Sequence, residues 1–443
     1  MKIDSGSTAW MLASTALVLL MTPGLAFFYG GMTRAKSVLN MMMMSWVAIV
    51  TVTLAWVLWG DSLAFAPGNW FIGGLKYLGE NGLVNDASRA PGIPDLLFSA
   101  FQLTFAVITV ALISGAIADR TKFGPWVVFT LVWATLVYFP VAHWVWGGGW
   151  LSSLGIEDFA GGTVVHVNAG AAGLGLALVL GKRKGFGRDP MRPHNLTLVL
   201  LGAGLLWFGW FGFNAGSELA ANGTAALAFM NTQVATAAAA GGWLLVERFR
   251  DGKPTTLGVA SGAVAGLVVI TPACAYIQPW EAIVLGLLGG AICACTIGIK
   301  HKLGFDDSLD VVGVHLTGGA FGAISLGFLA CYPLIAGQRK GLFFGGGIEQ
   351  LGVQVLGPVV VGLYSFSMAW IIGKIIDKTM GFRISEEDEV AGIDFAEHAE
   401  TAYDLGSVHA LPGATASAVS SVSPVTAEAE AADDASEEEP VTA

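Results

Sequence analysis

The chain has 443 residues, 54% of them hydrophobic and only 12% charged, with 60 glycines. Soluble domains carry about 25% charged residues and about 7% glycine, so an ordinary soluble enzyme is excluded, and closely packed membrane helices fit instead. The net charge of −11 is unevenly placed: residues 384–443 hold fifteen Asp/Glu and no Lys/Arg, which leaves the preceding body at +4.

Apolar runs of the ~20 residues needed to span a bilayer fall at 9–31, 40–60, 96–118, 125–146, 161–181, 196–214, 225–247, 257–276, 280–299, 311–331 and 349–376. They predict an all-α, multi-pass membrane protein of eleven transmembrane helices. The first run is expected to be a retained helix, because Asp4 offsets Lys2 and the apolar stretch exceeds a signal-peptide core. Connections are short except residues 61–95, whose Asn, Gly and Pro predict an exposed loop. With the amino terminus outside, 17 Lys/Arg fall on the inner side and 5 on the outer. The positive-inside rule therefore predicts amino terminus out and carboxyl terminus in. Residues 1–378 form the transmembrane domain and 379–405 a shorter C-terminal segment. Residues 406–443, an acidic tail rich in Ala, Ser, Thr and Pro, read as disordered. The four cysteines show no CxxC or zinc spacing and read as small apolar filler, so neither metal nor cofactor is expected.

Two segments on the fifth and tenth predicted helices match. His166-Val-Asn-Ala-Gly170-Ala-Ala-Gly173 and His315-Leu-Thr-Gly-Gly319-Ala-Phe-Gly322 both read H-x3-G-x2-G, with Asp158 and Asp307 eight residues upstream. Five helices per half is an odd number, so the second half enters the membrane from the opposite side. The prediction is an inverted five-helix repeat plus one extra helix, with a pathway between the halves. Counting along the helices leaves a vertical gap of ~10–15 Å between the two His at ~1.5 Å rise per residue.

An ionisable side chain inside a membrane helix is costly and points to function. Imidazole is the mildest case: neutral, it offers one donor and one acceptor, and it can hand protons on. No Asp, Glu, Lys or Arg lies deep in the third, fifth, sixth or tenth helices, and no TVGYG-type carbonyl filter is present. Such a path is poor for a bare metal cation and suits a solute that can shed its charge. Near the outer ends, Phe101 and Phe105 share a helix face, Trp146 precedes three glycines, and Phe213 and Ser217 close the sixth helix. Aromatic faces bind cations and a hydroxyl can accept an N–H bond; the competing reading is an interfacial aromatic belt. Asp158 is placed to cap the fifth helix, and Thr271-Pro272-Ala273 predicts a kink in the eighth.

These residues resemble the Amt/Mep/Rh ammonium transporter family, in its bacterial Amt branch. The resemblance is carried by Thr22-Pro23-Gly24, Phe28-Tyr29-Gly30-Gly31, Val145-Trp146-Gly147-Gly148-Gly149, Asp158-Phe159-Ala160-Gly161-Gly162-Thr163-Val164-Val165-His166, Trp210-Phe211-Gly212-Phe213-Asn214-Ala215-Gly216-Ser217, Thr271-Pro272-Ala273-Cys274 and Asp310-Val311-Val312-Gly313-Val314-His315. It implies a homotrimer in the cell membrane, one pore per subunit. It implies an outer recruitment site for ammonium or methylammonium at Phe105, Trp146 and Ser217. Phe101 would line the vestibule and Phe105 with Phe213 would form a stacked gate. Asp158 and Thr271 would support the site, and His166 and His315 would touch within the pore. Ammonium would lose its proton near the gate, ammonia would cross beside the two His, the proton would return by a His and water route, and K+ would be rejected. Gly381-Phe382-Arg383 to Tyr403, with Glu386-Glu387-Asp388-Glu389, Gly392-Ile393-Asp394 and His398, resembles the family's cytoplasmic C-terminal segment, on whose face a trimeric P-II signal-transduction protein blocks the pore. The tail after Tyr403 departs from the family. No nucleic-acid partner is expected.

Two rivals remain at this point, and a third is set aside. A membrane haem protein would use His166 and His315 as axial ligands. An ammonium sensor would signal without net transport. A water or glycerol channel would carry paired Asn-Pro-Ala motifs, which are absent.

Overall fold

The computed structural model describes residues 2–84, 86–331 and 339–403; the acidic tail 406–443 lies outside the described residues. The long helical stretches are α1 Ser5–Met32, α2 Ala35–Phe65, α3 Asp95–Ile117, α4 Phe123–Leu154, α5 Gly162–Leu180, α6 Leu196–Gly216, α7 Gly223–Arg250, α8 Thr256–Ile270, α9 Pro279–Leu303, α10 Val312–Leu329 and α11 Ile348–Met380. Two single-turn helices follow, α12 Glu386–Ala391 and α13 Ile393–His398. Among the described residues the only extended pairing is an isolated bridge between Thr121 and Arg383.

Nine of the long helices are apolar and long enough to cross a membrane; α7 and α8, at the seventh and eighth expected spans, do not qualify. The first is diluted by Thr, Asn and Gln, and the second has only 15 residues. Residues 257–276 were expected to continue through a kink. Instead α8 stops at Ile270, and Ala273 donates its N–H to Ile270 O in a turn, because Pro272 has no N–H to offer the helix.

The helix contacts repeat when numbers are shifted by five. α1 lies along α6. As α1 meets α2 and α3, α6 meets α7 and α8; as α2 meets α3 and α4, α7 meets α8 and α9; α5 and α10 both lie against α11. Where α1 and α6 cross, a Cβ added to Gly202 would fall 2.2 Å from Phe28 N, so the absence of a side chain sets that backbone contact.

The stretch expected as an exposed loop is partly core. α2 runs on to Phe65, placing Asp61 inside the protein, and the following segment buries Tyr77, Leu83, Ala87, Ala90 and Ile93. Burial is possible because Asp61 is paired with Arg89 and the loop folds over the ends of α3 and α4.

Candidate functional site

His166 and His315 each lie in a widened turn where the backbone bonds run from i to i+5: His166 N donates to Gly161 O, and Thr317 N to Val312 O. Such bulges concentrate at functional positions in helices. The two turns are brought together by the glycines of the repeat. A Cβ on Gly170 would meet Leu316 N at 2.4 Å, and one on Gly319 would meet Gly162 O at 2.7 Å and His166 Cβ at 2.9 Å. Each half thus uses the glycine four residues after its own His to admit the other half's His-bearing turn. The result is an Nδ1 to Nδ1 distance of 3.3 Å, with ring centroids 5.3 Å apart and planes 29° from parallel. The gap estimated from helix rise does not exist, because counting along two separate axes omits this close crossing.

The pair lies in a narrow apolar passage lined by Leu25, Phe28, Ile108, Leu112, Trp210, Phe213 and Val264, with a free volume of about 10 Å³. That is about the room needed for one water-sized sphere. His166 Nε2 is buried without a hydrogen-bond partner. Trp210 stacks on the His166 ring at 5.4 Å, and its Nε1 donates to Thr271 Oγ1 at 2.8 Å. Thr271 Oγ1 in turn donates to Leu267 O. A porphyrin has no space here, so the haem alternative fails on geometry.

Beyond the passage opens a vestibule of about 560 Å³ whose wall includes Phe98, Gln102, Phe105, Trp146, Ser217 and Tyr276. Phe105 and Phe213 separate it from the His pair; their rings stack at 4.1 Å and 19°. Trp146 stands edge-on to Phe105 at 6.0 Å. Ser217 Oγ donates to Phe213 O at 2.8 Å, which leaves its lone pairs to accept a bond from a solute. Phe101, expected to line the vestibule, is fully buried behind Phe105 at 4.9 Å instead. At 3.6 residues per turn, Phe98, Gln102 and Phe105 face the cavity and Phe101 is turned toward Gly216.

Asp158 does not reach the vestibule with a free oxygen. Its carboxylate accepts four backbone N–H bonds, from Gly161, Gly162, Thr163 and Val164, at 2.6 to 3.0 Å. Its carbonyl accepts Trp146 Nε1 at 2.8 Å. One residue therefore fixes the start of α5 and the indole of Trp146. Asp307 does the equivalent at α10, accepting from Val311 and Val312.

Residues 9–403 match the model of the Ammonium Transporter Family. The chain belongs to that family. It is 54% identical over 435 residues to the ammonium transporter of Mycobacterium tuberculosis, covering 91% of each chain, and 48% identical over 403 residues to that of Bacillus subtilis, covering 90% of this chain and 99% of the other. Its fold is similar to the crystal structure of Saccharomyces cerevisiae Mep2 (TM-score 0.82, 35% identity, 87% and 89% of the two chains). It is also similar to a sensor Amt protein (TM-score 0.83, 28% identity, 89% and 98%). This Ammonium Transporter Family chain is accordingly a multi-pass membrane transporter rather than an enzyme.

At the end of the bundle away from the vestibule, the C-terminal segment is hydrogen-bonded into the helix ends. Phe382 is buried, Lys122 N donates to Phe382 O, and Ile384 N donates to Arg120 O. Asp394 accepts the Leu39 and Asn40 N–H groups at the start of α2, and Glu397 accepts Phe123 N at the start of α4. Glu389 takes Lys184 N and the Arg383 guanidinium. His398 Nε2 lies 3.0 Å from Asn40 Oδ1. Asp394 and Glu397 thus cap helix N-termini, where a carboxylate is favoured, while Glu389 of the acidic stretch anchors the Lys184 backbone and Arg383.

Sequence reasoning missed several groups. Trp210, which backs His166, stood in a quoted motif without a role. The buried Arg120, which donates to Ser308, Ala118, Ala116 and Asp306, gave no signal beyond being a loop arginine. The Asp61–Arg89 pair was hidden by reading residues 61–95 as solvent-exposed.

Proposed function

We propose that this transporter takes ammonium into the cell by recruiting it in the vestibule, removing its proton near the Phe105–Phe213 gate and passing ammonia beside His166 and His315, with the proton returning separately by a His and water route. The observation that carries the reading is the unpartnered His166 Nε2 within a passage of about 10 Å³, directly behind a stacked aromatic pair. A hydrated cation does not fit there. Ammonia fits, and can both donate to and accept from imidazole nitrogens. In the vestibule, Trp146 and Phe105 offer ring faces to ammonium and Ser217 an acceptor. K+ can neither lose a proton nor donate a hydrogen bond, so it is excluded.

In this reading all eleven long helices span the cell membrane, as an inverted five-helix repeat plus α11, with the amino terminus out and the carboxyl terminus in. The exchange of helix contacts under a shift of five supports the repeat, and the 17 to 5 division of Lys/Arg supports the orientation. The subunit assembles as a homotrimer, and the inner face around residues 379–405 receives a P-II signal-transduction protein. The likeness to a sensor Amt protein favours a second reading, signalling without net transport.

The test is current from proteoliposomes on a solid-supported membrane, with ammonium or K+ as the added salt. The wild type is expected to give ammonium currents and none with K+. His166→Ala and His315→Ala are expected to lose the ammonium current or its selectivity over K+. Unchanged currents with K+ still excluded, in folded variants, overturn the role of the pair. Absence of any methylammonium uptake by the wild type favours the sensor reading.

A further inference from the structure

The vestibule wall contains a second aromatic cluster, apart from Phe105 and Trp146. Phe98 lies seven residues before Phe105 on α3, about two helical turns away, and Phe65, Tyr77 and Phe98 all border the same cavity. Their rings enclose one cation, the guanidinium of Arg89, at 4.5 Å from Tyr77, 4.6 Å from Phe98 and 5.8 Å from Phe65. Asp61, fully buried, accepts both terminal nitrogens, at 2.7 and 2.5 Å. Arg89 Nε is buried with no hydrogen-bond partner, and the side chain is 5% exposed. Three rings and a carboxylate around a positive charge are the components of a cage that recognises alkylammonium ions.

We propose that Arg89 is a specificity-determining residue: its guanidinium permanently fills an alkylammonium-type cage in the vestibule wall, so that quaternary ammonium ions find no second site beside the ammonium entrance. The proposal rests on the reading of this cavity as the entrance, but the filled cage is a property of the wall itself. Without Arg89, the space it leaves joins the vestibule, and the three rings and Asp61 face that space. A tetramethylammonium ion fits the cage and cannot pass the stacked gate, so it would remain in the entrance as an inhibitor. Ammonium is still drawn past the cage to Ser217 and Trp146, where it can donate hydrogen bonds.

The experiment uses the purified full chain and tetramethylammonium chloride, read by titration calorimetry and by inhibition of methylammonium currents. Wild type and Arg89→Lys, which keeps a cation in the cage, are expected to bind none in the millimolar range. Arg89→Ala is expected to bind at least about tenfold more tightly than wild type, the loss or gain of one desolvated cation–π site. The double variant Asp61→Asn, Arg89→Ala removes both charges together, so it leaves no unpaired buried carboxylate, and is expected to fall between the two. Millimolar or tighter binding of tetramethylammonium by the wild type overturns the proposal without any variant folding. So does a folded double variant that binds no better than wild type. Calorimetry reads the cage even if transport fails, so a wild type without methylammonium uptake counts against the transport reading alone.

Discussion

Replacing Gly319 by Ala tests the crossing on which the His pair depends. In a helix this change is ordinarily favourable by about 1 kcal/mol, because alanine has the higher helix propensity. Here the added Cβ lands 2.7 Å from Gly162 O and 2.9 Å from His166 Cβ, where ordinary contact begins near 3.4 Å. Two of the three nearest atoms are backbone, so relief requires the helices to part by about 0.7 Å, the shortfall at Gly162 O. Overpacking of this kind costs about 1–3 kcal/mol, which outweighs the propensity gain and reverses the sign. Taken along the line between the rings, the same displacement lengthens the 3.3 Å Nδ1 contact to about 4.0 Å, beyond hydrogen-bond reach. Displacements of about 1 Å in a positioned site cost on the order of 100-fold in rate. Gly204→Ala is the control, since that Cβ meets nothing within 4 Å. Thermal melts in detergent should show Gly319→Ala less stable than wild type and Gly204→Ala equal or more stable. Proteoliposome currents per folded protein should fall at least about tenfold for Gly319→Ala only. A Gly319→Ala protein as stable as the control with full current refutes the reasoning.

Asp158→Asn should destabilise by about 2 kcal/mol or more, because an amide presents one acceptor oxygen where four N–H groups now bond a carboxylate; Asp158→Glu should not restore the melting temperature. Burial pushes the Glu157 carboxyl up from 4.5 to about 7, against an opposing backbone bond from Arg339. The folded chain thus holds that proton more tightly than the unfolded chain, so this group's contribution to stability declines as pH rises from about 4.5 to about 7 and is level above that. Melting temperatures across that range should therefore decline more steeply for wild type than for Glu157→Gln. Asp394→Asn loses one of two backbone acceptors at the start of α2, worth about 1 kcal/mol. Trypsin should then cut at Arg383 about fivefold faster, measured by mass spectrometry, if local release of the segment precedes cleavage.

The periodic and compositional features were legible because they depend on single segments. All eleven apolar runs meet a helix, and the H-x3-G-x2-G repeat pointed to the paired turns. What the repeat glycines do was not legible, because Gly170 acts on Leu316 and Gly319 on His166, contacts between residues about 150 positions apart. The error in the His separation has the same origin. Phe101 was placed in the vestibule by the family resemblance, and its four-residue spacing from Phe105 gives a shared face without saying which neighbour that face meets. Asp61 and Arg89 were lost to solvent because charged residues in a Gly- and Asn-rich stretch ordinarily are exposed, and a long-range ion pair has no local signature. The partners of Asp394 and Glu397 were not legible for the same reason: Leu39, Asn40 and Phe123 lie hundreds of residues away.

The width of the passage also bears on osmotic balance. With room for about one water-sized sphere beside the His pair, and aliphatic and aromatic walls that offer water few bonds, bulk flow of water through the passage is disfavoured. Vesicles densely loaded with this protein should shrink in hypertonic sucrose at the rate of the bare bilayer. Many copies packed into one bilayer should therefore add little to its water permeability.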